Sequence, residues 1–387
     1  MKHVKGFLGL IGLFLILSLG GCESKEDSIV GGPNYPVFDC ALIEGQSLRS
    51  LADARGLIVG SWDELAEGQP LSKDAVYQSI IASEFNAIML NIGMIDFEGE
   101  NGQWAYLYVD EVLDFAEQNG MKVFAQHLVW HESVANWVRN EVTTAAAAKT
   151  ALKNFIDDFL TRYKGRIYAY SVVNEAVDPL VTDQWRNNFW YQTIGPEYIA
   201  LAFQWARAAD PDAKLYYNDF NCESAIGDVN HNQKAETCYT LVKGLVDTSV
   251  PIDAMGFQMH TDLVGSIFRA PPDMTGFSQN LDRYAALGLE LYITEMDVAT
   301  SSGTGTPAEN FADQAVIYKN VMDTALSKAQ FKAFVTFGFT DKYSWVYSHL
   351  ASYGINVSYP EEGPLLFDPN FNPKPAYCEI RTSLATN

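Results

Sequence analysis

Short apolar runs alternate with longer amphipathic stretches along most of the chain. Runs rich in Val, Ile, Leu, Phe and Tyr predict strands at Gly56–Ser61, Asn86–Asn91, Lys122–Leu128, Ile167–Asn174, Lys214–Asn218, Ala254–Met259, Glu290–Thr294 and Ala333–Phe337. Helical periodicity predicts helices between them at Asp74–Phe85, Asp110–Asn119, Ala146–Tyr163, Pro196–Ala208 and Phe311–Lys328. The strand runs are continuously apolar rather than alternating, as expected of strands buried on both faces. Eight such strands with intervening helices fit an α/β fold, a single TIM (β/α)8 barrel. The sequence carries no internal repeat or low-complexity segment.

The polar residues fall where that architecture puts chemistry. Asn91, His131, Asn174, Glu175, Asn218, Asp219, His260, Glu295 and Asp341 each lie at or just past the C-terminal end of a predicted strand, and those ends converge on one face of a barrel. Two runs stand out: Val172-Val173 delivers Asn174 and Glu175, and Tyr292-Ile293-Thr294 delivers Glu295. One strand-end glutamate is more often a salt bridge or a cap, but two strand-borne glutamates are what glycoside hydrolysis requires. One carboxyl protonates the leaving oxygen while the other attacks or stabilises the oxocarbenium-like carbon. Asn174 is a candidate donor to the hydroxyl beside that carbon. Gln258 and His260 are expected to share one strand face by the period-two rule, with His260 in reach of Glu295.

Other groups have plainer readings. His127 and His131 stand four apart, a zinc spacing on a helix, but this segment reads as a strand and its loop. No metal or organic cofactor is expected. Trp130, Trp137, Tyr343, Trp345 and Tyr347 suit either core packing or stacking on sugar rings. The run Ser301–Thr306 lacks the strand-to-helix context of a phosphate cradle.

At the N-terminus, Lys2 and Lys5 precede an apolar block from Phe7 to Leu19, too short for a spanning helix. Leu19-Gly20-Gly21-Cys22 resembles a bacterial lipobox, so residues 1–21 read as a signal peptide and Cys22 as an acylated first residue. Residues 22–45 form a tether whose Glu23-Ser24-Lys25-Glu26-Asp27 is similar to acidic surface-export tags, and 46–387 form the catalytic domain. The expected location is the bacterial envelope, at the outer membrane or cell surface, held by lipid. A net charge of −22 argues against nucleic acid as a partner, because phosphate repels such a surface, and suits a neutral polysaccharide. A monomer is expected. Cys40 with Cys378 and Cys222 with Cys238 is the pairing a closed barrel favours, and four buried or free thiols remain the alternative.

Together these motifs resemble glycoside hydrolase family 10, the retaining endo-β-1,4-xylanases on a TIM barrel, from about Gly56 to Tyr377. Leu128-Val129-Trp130-His131 is similar to the third-strand signature, and Val172-Val173-Asn174-Glu175-Ala176 to the acid/base segment. Leu215 to Asn221 resembles the fifth-strand region, Gly256-Phe257-Gln258-Met259-His260 the sixth, and Ile293-Thr294-Glu295-Met296-Asp297 the nucleophile motif. Thr340 to Trp345 and Leu366-Phe367-Asp368 resemble the last strand and its loop. The resemblance implies that Glu175 is the acid/base, Glu295 the nucleophile and Asn174 the ligand of the sugar 2-hydroxyl, with Gln258 and His260 on the nucleophile side. Retention implies carboxyls about 5 to 5.5 Å apart.

The departures from the family pattern cluster. Asn91, Ile92 and Ile95 stand where members carry Glu-Asn and a lysine; Gln126 replaces a histidine and Phe337 a tryptophan; Tyr170-Ser171 replace Trp-Asp. The first three sets line the glycone side of the cleft in the family, and Trp130, Asn218 and Trp345 are further expected substrate-binding residues. The sequence therefore predicts intact chemistry with an altered glycone subsite, Ile92 and Ile95 leaving room for a decorated xylan. The alternatives are a β-glycanase for a different hemicellulose and a surface glycan-binding lipoprotein with little turnover.

Overall fold

Strands that are apolar on both faces must be covered on both, and the chain achieves this by closing them into a cylinder inside a ring of helices. The computed structural model describes residues 46–63, 70–97, 106–178, 185–224, 229–265 and 271–386. The expected signal peptide, Cys22, the tether and Cys40 lie outside the described residues. In chain order the strands are β1 (Ile58–Trp62), β2 (Ala87–Asn91), β3 (Lys122–Gln126), β4 (Ala169–Asn174), β5 (Lys214–Asp219), β6 (Ala254–Phe257), β7 (His260–Asp262), β8 (Glu290–Ala299) and β9 (Phe331–Thr336). Among the described residues, these strands pair only in parallel. β1 pairs with both β2 and β9, and β6 pairs with β5 and β8, so the sheet closes. β7 is a short outlier that pairs with the distal half of β8, His260 opposite Asp297.

The strand ends differ from the sequence reading in ways that matter for the site. β1 starts at Ile58 because Gly56 takes a left-handed φ of 65° in the preceding turn. β6 stops at Phe257 because Met259 turns left-handed at φ 60°, so Gln258 and His260 do not share one face. β8 runs on past Thr294 to Ala299, carrying Glu295 and Asp297 inside the sheet. Helices occupy Ala75–Glu84, Leu107–Gln118, Ala145–Arg162, Tyr198–Ala209 and Pro307–Leu326, close to their predicted places. Thr306 and Glu309 cap the last of these reciprocally, with Pro307 in its first turn.

Two apolar layers hold the barrel. Inside it, small Ala87, Ala169, Ala254 and Ala333 interleave with Met89, Phe124, Tyr216 and Tyr292, whose last three rings meet edge to face at 5.5–6.4 Å between centroids. Outside it, the opposite strand faces pack against the helices in one continuous core. The first and last described segments meet across the seam, where Arg55 donates to the Leu384 carbonyl at 2.8 Å and the Tyr377 hydroxyl donates to Glu84 at 2.8 Å. Cys222 and Cys238 are disulfide-bonded, as the closed-barrel pairing expected.

Asp341, grouped by sequence with the chemistry-bearing strand ends, is instead a structural anchor. Its carboxylate is wholly buried, accepts from Lys374 Nζ at 2.8 Å and from the Leu365 amide at 2.8 Å, and so ties the loop after β9 to the segment before the last helix. Removing one partner of a buried pair strands the other charge. Lys374→Met should therefore lower stability by about 3–5 kcal/mol in urea unfolding. A loss below roughly 1 kcal/mol, an ordinary surface-mutation effect, would contradict the anchoring role.

Candidate active site

Three side-chain amides join the two glutamates. Asn174 Oδ1, at the end of β4, accepts from Asn218 Nδ2 at 3.0 Å and from Gln258 Nε2 at 3.1 Å. Asn218 Nδ2 also donates to Glu295 Oε1 at 2.7 Å, and Gln258 Nε2 to Glu175 Oε1 at 3.2 Å. One amide oxygen therefore sets the spacing of both carboxyls. Asn218 is itself fixed because its Oδ1 accepts from the Thr294 hydroxyl at 2.7 Å. Gly256 makes room for it: a Cβ there would lie 2.4 Å from Asn218 Oδ1.

Glu295 accepts from two further groups. Gln126 Nε2 donates to Oε1 at 3.3 Å, and His260 Nε2 lies 3.1 Å from Oε2. His260 Nδ1 lies 2.9 Å from Asp297 Oδ2, which also accepts from the Trp345 indole N–H at 2.8 Å. Burial alone would lower the His260 pKa, but the Asp297 and Glu295 carboxylates outweigh it and raise the ring to about 10. The nucleophile candidate thus faces a cation and two amides.

Glu175 has a different environment. Burial is the main cause that raises its pKa, aided by the Asp219 carboxylate and opposed by Lys234, Arg186 and the Trp130 indole. The backbone of Glu175 is left-handed, φ 53°, a conformation that persists for such a residue only when neighbours over-determine it. Here its N–H donates to the Asn218 carbonyl at 2.9 Å and its carbonyl accepts from Arg186 Nε at 2.7 Å. His131 Nδ1 lies 3.7 Å from Glu175 Oε2, but burial, with Arg186, Lys234 and Arg139, lowers its pKa to about 4. It is therefore a neutral neighbour and not an ion pair.

The structure brings Glu175, Glu295, Asn174, Gln126, Asn218, Gln258 and His260 into one hydrogen-bonded set. Phe337 and Trp345 lie beside it, each 5.2 Å from the His260 ring, and Trp130 packs against His127 and His131. Gln258 is a correction: it serves the Glu175 side, because the turn at Met259 separates it from His260. Asn91 stays at the end of β2 but is satisfied locally, its amide donating to Asp96 at 2.8 Å and its oxygen accepting from the Gly93 N–H. Ile92 does not line the cleft, being wholly buried in the outer core, whereas Ile95 is exposed.

The sequence reading missed Trp62 and Arg186. Trp62 closes the floor, its indole donating to the Thr294 carbonyl at 3.2 Å and its ring 4.5 Å from Phe337. Arg186 comes from a stretch without strand or helix periodicity, which carries no signal of this kind. His127 contacts the Ser171 hydroxyl at 3.4 Å, and among the described residues it belongs to no group of three metal-type ligands. Among the described residues, Asp219, Cys222 and Cys238 form a group with metal-like spacing. Its sulfurs are in the disulfide and Asp219 is bound to Lys234, so the donor set does not fit a metal.

A family model described as glycosyl hydrolase family 10 matches residues 47–383. The chain is 36% identical over 307 residues to endo-1,4-beta-xylanase B of Thermotoga neapolitana, a match covering 79% of this chain and 82% of that one. It is 37% identical over 279 residues to a beta-1,4-xylanase of Dictyoglomus thermophilum, covering 70% and 73%. Xylanase 10B from Thermotoga petrophila, solved in complex with xylobiose, superposes with a TM-score of 0.76 at 34% identity over 89% of this chain and 98% of that one.

The ring of His260 supplies a direct check on the electrostatics. With its pKa raised to about 10, it should carry protons on both nitrogens at pH 8, seen in imidazole ¹⁵N shifts. The stability this contributes is full below the unfolded pKa of about 6.5 and is lost as pH rises from there through the folded value. A ring that titrates near its ordinary value would overturn the ion-pair assignment.

Proposed function

Because the chain belongs to glycosyl hydrolase family 10 and is a glycoside hydrolase, we propose that it hydrolyses internal β-1,4 bonds of xylan with net retention. The observation that carries this reading is the amide bridge, in which Asn174 Oδ1 links the donors to Glu175 and Glu295. Glu175, raised in pKa, protonates the glycosidic oxygen as the bond to the anomeric carbon breaks. Glu295 attacks that carbon and forms a glycosyl-enzyme ester. Glu175, now ionised, removes a proton from water, whose oxygen displaces Glu295 and restores both carboxyls. Asn174 Nδ2 is buried without a protein partner, and its donor is assigned to the substrate 2-hydroxyl, a contact that strengthens in the transition state.

Gln126 and Phe337 take the glycone side. Gln126 Oε1 is buried without a partner while Nε2 serves Glu295, so it offers an acceptor to a sugar hydroxyl beside the nucleophile. Trp130 and Trp345 supply apolar surface for sugar rings. A second reading, a decorated xylan or another hemicellulose, is favoured by the locally satisfied Asn91 and the exposed Ile95. An unmet substrate hydrogen bond there costs about 1–3 kcal/mol.

Reducing-sugar release on linear xylan, glucuronoxylan, arabinoxylan, mixed-linkage glucan and mannan tests both readings. Activity graded across the xylans is the expected result, and Glu175→Gln should lower it by roughly 10²- to 10⁴-fold. Strong activity on glucan or mannan alone would transfer the site to another glycan. A Glu175→Gln rate within about threefold of the parent would remove Glu175 from the acid/base role. In the parent, the fall of kcat/KM with rising pH should be displaced above the ordinary glutamate pKa of about 4.3, because the acid form of Glu175 persists to higher pH.

A further inference from the structure

Behind Glu175, and out of reach of any substrate, lies a buried ion pair that the reaction does not use. Lys234 and Asp219 are both essentially inaccessible, with Nζ 2.7 Å from Asp219 Oδ1. The Lys234 ammonium also sits 3.4 Å from the centroid of the Phe220 ring. Two buried charges are costly to desolvate, and a pair of hydrophobic residues of similar size is often at least as stable. The pair therefore invites an explanation other than stability.

Its contacts run to the acid/base. The other Asp219 oxygen, Oδ2, accepts from the Tyr217 hydroxyl at 2.5 Å. The same hydroxyl accepts from the Ala176 N–H at 3.1 Å. Ala176 follows Glu175, whose left-handed backbone needs restraint on both sides. The chain Lys234, Asp219, Tyr217, Ala176 N thus supplies the C-terminal half of that restraint, opposite the Asn218 carbonyl that holds the Glu175 N–H. The disulfide fixes the helix that brings the lysine in. Cys238 lies one turn after Lys234 on the helix Val229–Asp247, and its partner Cys222 lies three residues beyond Asp219.

We propose that Lys234, Asp219 and Tyr217 are positioning residues for Glu175, holding its carboxyl in line with the leaving oxygen. This rests on the assignment of Glu175 as the acid/base. Asp219 and Lys234 also act on the Glu175 charge in opposite senses, the carboxylate raising its pKa and the ammonium lowering it, so the pair restrains the backbone while its two charges oppose each other at the acid.

The test uses Tyr217→Phe, which deletes one oxygen, and the double variant Asp219→Asn/Lys234→Met, which leaves no buried charge. Each is compared with the parent and Glu175→Gln on xylan and on an aryl xylobioside whose leaving group needs no protonation. Misplacing a reacting group by about 1 Å can cost about 100-fold. Tyr217→Phe and the double variant should therefore lose about 10- to 100-fold in kcat on xylan with KM unchanged. They should keep kcat/KM on the aryl substrate. Equal losses on both substrates, or a rise in KM alone, would reduce the pair to a structural role. Full xylan activity in a folded Tyr217→Phe protein would overturn the proposal. If Glu175→Gln also kept xylan activity, the acid/base assignment itself would have failed.

Discussion

The amide oxygen of Asn174 is the point on which the site hangs. It receives Asn218 from β5 and Gln258 from the end of β6, and each of these passes a hydrogen bond to a different glutamate. Buried polar groups tolerate little geometric error, because an unpaired amide in the core costs about 1–3 kcal/mol. The two carboxyls cannot drift apart without breaking this set. The barrel makes it possible, since adjacent parallel strands end at one level and aim their last residues into one cleft. Gly256 shows how far the backbone is shaped to it, as any side chain there would strike Asn218.

Electrostatics then separates two chemically identical groups. Glu295 faces the imidazolium of His260, which is held in its charged form by Asp297, and this surrounds it with donors. Glu175 is instead pushed toward its neutral form by burial and by Asp219. A carboxyl pushed toward its neutral form beside one surrounded by donors is the arrangement that the proposed acid and nucleophile require. The division arises in a chain of net charge −22, with cations concentrated around the site: His260, Arg186 and Lys234. Surface charge and site charge answer to different demands.

Much of this was legible in the sequence. Continuous apolar runs predicted the barrel strands, and the period of the intervening stretches predicted the helices, because burial on two faces and on one face leave different patterns. Glu175 and Glu295, singled out as strand-borne carboxyls at one barrel face, do lie in one hydrogen-bonded set. Gln258 was assigned to the wrong glutamate because a period-two rule cannot foresee the left-handed turn at Met259. Asp341 looked like a strand-end polar residue, and only packing shows it buried against Lys374. Ile92 was read from its place in a motif, whereas the turn after β2 tucks it into the core. Trp62, Arg186 and Lys234 reach the site from segments with no motif, through contacts that exist only in three dimensions.

The stereochemistry of the first product tests the account most directly. In ¹H NMR of xylan hydrolysis recorded before mutarotation, attack by Glu295 and then by water should yield the β-anomer at the new reducing end. An initial α-anomer would mean a single displacement by water, and the assignment of Glu295 as nucleophile would be wrong.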